Sequence, residues 1–360
     1  MSRYNKSARF AAGAVALLLL PLLLQSFGTH FVRTADLCLL YVLLALGMNV
    51  VAGYAGLLDL GYVAFYAIGA YMFALLASPH LTDNFAAIAA VFPAGLHTDW
   101  WITIPLGAVL AACFGILIGI PTLKLRGDYL AIVTLGFGEI VRILINNLGH
   151  PVNITDGAKG LNLIDSIGVF GFDLGKSLTF GGYRVASVTQ YYYLFLVLVV
   201  LAVIICHRLQ VSRIGRAWMA IRDDEVAAEA MGIDTRNLKL LAFAMGASFG
   251  GVAGAMFATF QGFISPEAFS LQESVLIVAM VVLGGIGHIP GVVLGALLLT
   301  AFPEMLRYVV GPLQAMTDGR LDAGILRQLL VALAMIITML LRPRGLWPAP
   351  EHGKSLRSAS

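Results

Sequence analysis

Residues 239–262 read KLLAFAMGASFGGVAGAMFATFQG, a run of 24 residues whose only charge is its first lysine. About 20 apolar residues suffice to cross the hydrocarbon of a bilayer as a helix. Small residues recur at every fourth position of this run, which places them on one helical face: Ala242, Gly246, Gly250, Gly254 and Ala258. Helices pack closely in lipid through such faces. The stretch therefore predicts a membrane helix, with Gly246, Gly250 and Gly254 as packing residues. Packing inside the chain is the first interpretation, and a dimer face or a pore lining are the alternatives.

The whole chain shares this composition. Of its 360 residues, 59% are hydrophobic and 12% are charged, whereas soluble proteins carry about 25% charged residues. The mean hydropathy is +0.88. The formal net charge of +3 is too small to indicate nucleic-acid binding. The three cysteines lie in apolar runs without metal-ligand spacing. We expect an integral membrane protein that binds no metal or cofactor itself.

Apolar runs divide the chain into membrane spans. The N-terminal run is read as a retained span because no signal-peptidase site follows it, a secretory signal being the alternative. Gly and Pro in LGGIGHIPGVVLG separate two short runs near residue 288. The fold prediction is an all-α, polytopic transmembrane bundle of about ten spans, near 10–27, 36–52, 60–78, 101–120, 129–147, 190–206, 239–262, 274–287, 289–303 and 324–341.

Basic residues orient these spans. With ten spans, 15 Lys and Arg residues fall on the inside and 6 on the outside, which matches the positive-inside rule with both termini in the cytoplasm. Nine spans would place RPRG, residues 342–345, outside. Ten spans are also compatible with two inverted halves of five helices. We divide the chain into an N-terminal anchor span with its outside loop (1–35), a transmembrane domain (36–341) and a cytoplasmic tail (342–360).

Four ionisable residues lie in or beside the predicted spans, and such groups are costly and often functional at membrane depth. Glu139 and Arg142 are spaced i, i+3 on one helical face, as an internal ion pair or as a pair lining a path. Asp59 lies in a Gly-rich segment, 47–61, that a broken or re-entrant helix would explain. Glu273 follows Ser270 by three residues, which is capping-box spacing, with a substrate gate as the alternative. All four are candidates for a translocation path.

No motif indicates an enzyme. A phosphate-binding loop would need glycine at position 170, which is Phe170. No dinucleotide fingerprint, serine nucleophile motif or zinc-peptidase motif occurs. The long outside loop, 148–189, is Gly-rich and contains GVFGFDLGKSLTFGGYRVAS, which is typical of a small hairpin that could serve as a docking or lid surface.

The inside loop 207–238 is the most charged segment and contains IRDDEVAAEAMGIDTRN at 221–237. Asp223, Asp224 and Glu225 suit the start of a helix, where the dipole is positive. Gly232 suits its end. A helix of about two turns is marginal in water, so it needs a partner, either its own bundle or a second protein.

This loop resembles the coupling loop of ABC importer permeases, whose signature is E-A-A-x-x-x-G. The register here is Val226-Ala227-Ala228-Glu229-Ala230-Met231-Gly232, so the first Glu is absent and Glu225 lies one place early. NVVAGYAGLLDLGYVAFYAIGAY, LKLRGDYLAIVTLGFGEIVRILINN, ITDGAKGLNLI and VVLGGIGHIPGVVLGA resemble the branched-chain amino acid branch. The chain is identified as similar to its M-type permease subunits.

The resemblance implies a subunit of the bacterial inner membrane that is not itself an enzyme. Its partners would be a second, homologous permease, two cytoplasmic ATPases that use ATP, and a periplasmic binding protein. The ATPase-coupling residues would be Arg222, Asp223, Asp224, Glu225, Ala227, Ala228, Glu229, Met231 and Gly232. The substrate would be a branched-chain amino acid, with urea or short amides as alternatives. An ion-coupled secondary transporter is a further alternative, favoured by Asp59, Glu139 and Arg142.

Overall fold

The computed structural model describes residues 2–316, apart from 94, 124, 126, 170–171 and 181–182, and parts of 329–347. The α-helices in this part of the chain are α1 Ser2–Phe27, α2 Thr29–Met48, α3 Val63–Leu76, α4 His80–Asn84, α5 Ala86–Val91, α6 Trp100–Thr122, α7 Asp128–Asn147, α8 Ser187–Val211, α9 Arg213–Asp223, α10 Glu225–Ala230, α11 Thr235–Gln261, α12 Leu271–Gly284 and α13 Ile289–Met316. A π-helix, Asn49–Tyr54, continues α2, and 3-10 turns span Gly157–Lys159 and Pro266–Phe269.

The chain is a helical membrane protein, as predicted. Within the described residues, five helices are long and apolar enough to cross a membrane: Thr29–Tyr54, Trp100–Thr122, Ser187–Val211, Thr235–Gln261 and Ile289–Leu306. Shorter apolar helices are Val15–Phe27, Val63–Leu76 and Leu271–Gly284. The division predicted near residue 288 coincides with the end of α12 and the start of α13. The tenth predicted span, 324–341, and the tail, 342–360, lie largely outside the described residues.

Two small hairpins, rather than one, lie in the loop 148–189. Strand β1 (Gly168–Val169) pairs with β2 (Phe172–Asp173), and β3 (Leu178–Phe180) pairs with β4 (Tyr183–Val185), both antiparallel. We call this end of the bundle the hairpin end. The opposite end carries α9 and α10, and we call it the loop end.

Helix α11 is the centre of the bundle, packed between α3 and α6. The predicted stripe of small residues faces neighbouring helices of the same chain. Gly246 lies against Gly47 and Val51, Gly250 against Phe65, and Gly254 against Tyr66 and Ala70. The adjacent Gly251 faces α6, where an added Cβ would lie 2.7 Å from the Gly107 carbonyl oxygen. The glycines therefore let α2, α3 and α6 approach the backbone of α11 closely.

The segment predicted to be broken, 47–61, is broken in the structure. The π-helix ends at Tyr54, and helix α3 begins only at Val63. The Val63 amide donates to the Ser274 hydroxyl over 3.0 Å, so the N-terminus of α3 meets the first turn of α12. Both are half-length helices of 14 residues. Irregular backbone at membrane depth is tolerated because it is buried in protein there.

Candidate functional site

Helix α10 is the short helix expected in the charged loop, with corrected bounds. It begins at Glu225 rather than Asp223, because Asp224 is extended (φ −157°, ψ 108°) and ends α9 at Asp223. The Asp224 carboxylate caps α10 by accepting from the Ala227 amide over 3.0 Å. Gly232 ends the turn with φ +82°, as predicted, and its amide donates to the Glu229 carbonyl over 2.9 Å. Both caps define a helix of fixed length.

The two faces of α10 differ in their surroundings. Ala228 is buried against the bundle. Val226 is 64% exposed and Met231 is 83% exposed, and Ala227, Glu229 and Ala230 are exposed beside them. The helix thus presents a small apolar surface, edged by a carboxylate, away from its own chain. We call Val226, Ala227, Glu229, Ala230 and Met231 the docking face.

Glu225 does not belong to the docking face. Its Oε1 lies 2.5 Å from the Lys239 Nζ in the first turns of α11. The Lys239 side chain is 7% exposed and that of Glu225 is 27% exposed. A buried ammonium needs a counter-charge, and Glu225 provides it. This ion pair ties α10 to the central helix, which gives the off-register glutamate a role within the chain.

Helix α9 is fixed to the bundle by two side chains. Trp218 is fully buried, and its indole Nε1 donates to the Leu238 carbonyl over 2.7 Å. Arg222 Nη1 donates to the Gly53 carbonyl in the π-helix over 2.5 Å. Of the predicted coupling residues, Arg222 therefore contacts the membrane part of the chain, while the Asp223 side chain is 78% exposed.

The predicted pair on α7 forms. Arg142 Nε donates to Glu139 Oε2 over 2.9 Å, and about a third of each side chain is exposed. The same side of α7 exposes Ile132 and Ile143, and an added Cβ at Gly136 would meet open space. The predicted span 129–147 corresponds to α7, which is not among the five described helices that are long and apolar enough to cross a membrane. An ion pair is costly against lipid, so we expect this face of α7 to meet water or a protein partner.

Asp59 is a buried turn residue. It is 1% exposed, and its Oδ1 accepts from the Gly61 amide over 2.8 Å. The neighbouring Leu60 amide donates to the Thr134 hydroxyl of α7 over 3.0 Å. These contacts hold the irregular segment 55–62 against α7. In the structure, Asp59 therefore acts as a turn residue that stabilises this broken segment.

Glu273 does not form a capping box. The Ser270 side chain makes no cap hydrogen bond, and the Glu273 carboxylate instead accepts from the Tyr41 hydroxyl over 2.7 Å. Asp59, the Glu139–Arg142 pair and Glu273 therefore make three separate sets of contacts. Among the described residues, no group of three or more His, Cys, Asp or Glu side chains could hold a metal ion.

The loop 148–189 is anchored to the bundle at the hairpin end. The His97 ring Nδ1 lies 2.5 Å from Asp165 Oδ2, and the Trp100 indole donates to the Gly168 carbonyl over 2.7 Å. The Ser166 hydroxyl donates to Asp173 and is the main cause that lowers the pKa of that carboxyl below its ordinary value. The loop is thus a folded surface, consistent with docking.

Several contact residues lack a local sequence signal. Lys239, Tyr41, Asn49 and Gly53 meet their partners across 14 to 238 positions of the chain. Of these four residues, Lys239 has a signal in the sequence: a lysine at the edge of an otherwise apolar helix indicates that an anion lies nearby.

Comparison with known proteins accounts for this combination of a helical membrane bundle and a capped loop helix. The family described as the permease component of branched-chain amino acid transport systems matches residues 31–340. The chain belongs to this family. No solved structure matches it significantly.

Curated members of this permease family are similar in sequence to the chain over most of its length. It is 40% identical over 361 aligned positions to the high-affinity branched-chain amino acid transport system permease protein LivM of Escherichia coli K12, covering 96% of this chain and 77% of the relative. It is 39% identical to LivM of Salmonella typhimurium LT2, covering 91% and 72%. It is also 27% identical to LivH, a second permease protein of that organism, covering 87% and 93%.

Proposed function

We propose that this chain is the M-type permease subunit of a bacterial ABC importer for branched-chain amino acids. The observation that carries the proposal is α10, a helix capped at both ends whose docking face is not covered by the part of the chain that the structure describes. A short helix of this kind gains stability by docking in a groove of a partner. The partners are two cytoplasmic ATPases, which bind and hydrolyse ATP, so that no cofactor is required on this chain.

The remaining components follow the same proposal. A second, homologous permease forms the translocation path together with this chain, and similarity to both LivM and LivH supports such a pair. A periplasmic binding protein delivers the substrate at the hairpin end. The chain lies in the inner membrane with about ten spans and both termini in the cytoplasm, which the bias of 15 to 6 basic residues supports. The loop end is then cytoplasmic.

Reconstitution tests the function directly. The two permeases, the ATPases and the binding protein are placed in proteoliposomes with ATP inside, and uptake of labelled leucine, isoleucine, valine, urea and acetamide is followed. We expect ATP-dependent uptake of the three amino acids. Uptake of urea or acetamide alone would reassign the substrate. Leucine uptake by this chain without ATPase, driven by an ion gradient, would refute the proposal.

The docking face gives a first prediction. Val226→Asp together with Met231→Asp places two carboxylates where apolar contact is expected, so the ATPases should bind at least about tenfold more weakly. ATPase co-purification measures this. Leu163→Asp is the matched control, because Leu163 is 76% exposed at the opposite end. Equal co-purification of the variant and the control would show that the ATPases dock elsewhere.

The exposed face of α7 gives a second prediction, because we propose that Glu139 and Arg142 line the path between the two permeases. In a Cys113→Ser background, Gly136→Cys should react with a water-soluble thiol reagent, since the thiolate forms only where water reaches it. Val197→Cys on α8, whose native side chain is 64% exposed, should face lipid and stay unreactive. If Gly136→Cys stays as unreactive as Val197→Cys, this face of α7 lies in lipid and the proposed path is refuted.

A further inference from the structure

Arg222 lies at a junction of three segments at the loop end, which we define by Asn49, Gly53, Arg222 and Gly287. Arg222 Nη1 donates to the Gly53 carbonyl over 2.5 Å. The Asn49 Oδ1 accepts from the Gly287 amide over 2.9 Å. The loop helix α9, the π-helix and the turn between α12 and α13 are therefore joined within one set of contacts.

The helix ends at Tyr54, so the Gly53 carbonyl is among the last four carbonyls, which have no partner within the helix. In a continuous α-helix that oxygen would accept from the amide of residue 57. Here the Leu57 amide donates to Val51 over 3.1 Å instead, and the Arg222 guanidinium takes the position of the missing donor. A π-turn within a membrane helix is a rare geometry that frequently marks a functional segment. The charged hydrogen bond thus compensates for a local irregularity of the span.

Glycine backbone on two sides confines the Arg222 side chain. An added Cβ at Gly56 would lie 2.5 Å from the Arg222 Cγ, and one at Gly287 would lie 3.0 Å from its Nη1. Both glycines have positive φ, +71° and +82°, so larger residues are disfavoured by backbone and by space. The aliphatic part of the Arg222 side chain fits between the two segments because neither glycine has a side chain.

Helix α9 connects this junction to the docking face. Only the extended residue Asp224 separates α9 from α10, and the buried Trp218 attaches α9 to the start of α11. A cavity of about 420 Å³ lies beside the junction, lined by residues of 55–58, 127–130 and 221–226. The end of α9 and the adjoining segment 55–58 therefore border open space, which leaves room for α9 and the π-helix to move together.

We infer that Arg222 is a positioning residue that transmits the movement of α10 to the π-helix of the span Thr29–Tyr54 and, through Asn49, to the turn at Gly287. This inference rests on the proposed function, since the movement is imposed by the ATPases on the docking face. The ATPases bind to the docking face, and the Arg222 guanidinium connects this loop to the membrane span Thr29–Tyr54. Loss of the link leaves ATPases that are bound but no longer drive transport.

The experiment measures substrate transported per ATP hydrolysed in the complete complex in proteoliposomes. Arg222→Ala removes a charge-assisted hydrogen bond, so we expect transport per ATP to fall about tenfold, while the ATPases still co-purify and hydrolyse ATP at the basal rate. Asn49→Ala should give the same defect without touching the loop. The double variant should be no worse than either single variant, because both substitutions interrupt one link.

Two arginine controls separate the link from general structure. Arg216→Ala removes an exposed arginine of the same helix, which donates to the Val211 carbonyl within its own loop, and should transport normally. Arg222→Lys keeps the charge and one donor, so it should recover part of the coupling, and it replaces Arg222→Ala if that variant does not fold. Unchanged transport per ATP in Arg222→Ala, or additive defects in the double variant, would overturn the inference. Absence of ATPase binding in the unmodified complex would refute the proposed function instead.

Discussion

Replacing Gly254 by alanine is expected to destabilise the folded protein strongly. An added Cβ would lie 2.7 Å from the Ala70 amide nitrogen and closer still to the Tyr66 carbonyl oxygen. Both atoms belong to the backbone of α3, so no rotamer change relieves the overlap, and α3 and α11 must separate. Overpacking of this kind costs about 3 kcal/mol or more, a large part of the stability of a typical protein.

A graded glycine series provides the measurement. An added Cβ at Gly250 would lie 3.1 Å from the Phe65 Cβ, a side-chain atom, whereas Gly136 on α7 has nothing within 4 Å. The thermal midpoint of detergent-solubilised protein should therefore fall from Gly136→Ala, equal to or above the unmodified chain, through Gly250→Ala to Gly254→Ala. An unchanged midpoint for Gly254→Ala would contradict the described contact of α3 with α11.

Local patterns predicted the helices and the caps of the loop helix. The length of the run 239–262 and its four-residue repeat depend only on residues of one helix, and the structure shows that helix with its glycines inward. Gly232 was predicted from the same kind of local signal. The error at Asp223 is small and physical: three consecutive acidic residues all suit a helix start, and backbone geometry selects Asp224 as the cap.

Contacts between distant segments were not predictable from spacing. Ser270 and Glu273 match a capping box, but a tyrosine of α2, 232 positions away, takes the Glu273 carboxylate. The π-helix at Asn49–Tyr54 also has no periodic signature, because Asn49 and Gly53 in it are held by Gly287 and Arg222 from distant segments. Such features depend on tertiary packing, which a sequence pattern does not encode.

Replacing Glu225 by alanine is expected to destabilise the loop end and to weaken ATPase coupling together. The substitution leaves the ammonium of Lys239, whose side chain is 7% exposed, without its counter-charge. Breaking a buried ion pair from one side costs about 3 kcal/mol. Helix α10 also loses the contact that ties it to α11, so the docking face loses its fixed orientation even though its own residues are unchanged.

Removing Lys239 instead of Glu225 should cost less stability, and the difference between the two single variants is the decisive measurement. Lys239→Met leaves the Glu225 carboxylate, which is 27% exposed and can turn toward water, so we expect a loss of about 1 kcal/mol. The double variant Glu225→Ala with Lys239→Met removes both charges and should be more stable than Glu225→Ala alone, since the cost of a stranded charge disappears. Its ATPase co-purification should nevertheless remain low, because the tie between α10 and α11 is still missing. Thermal midpoints and co-purification of the three variants separate the two effects. A double variant that is less stable than both single variants would show that Glu225 and Lys239 act through other partners.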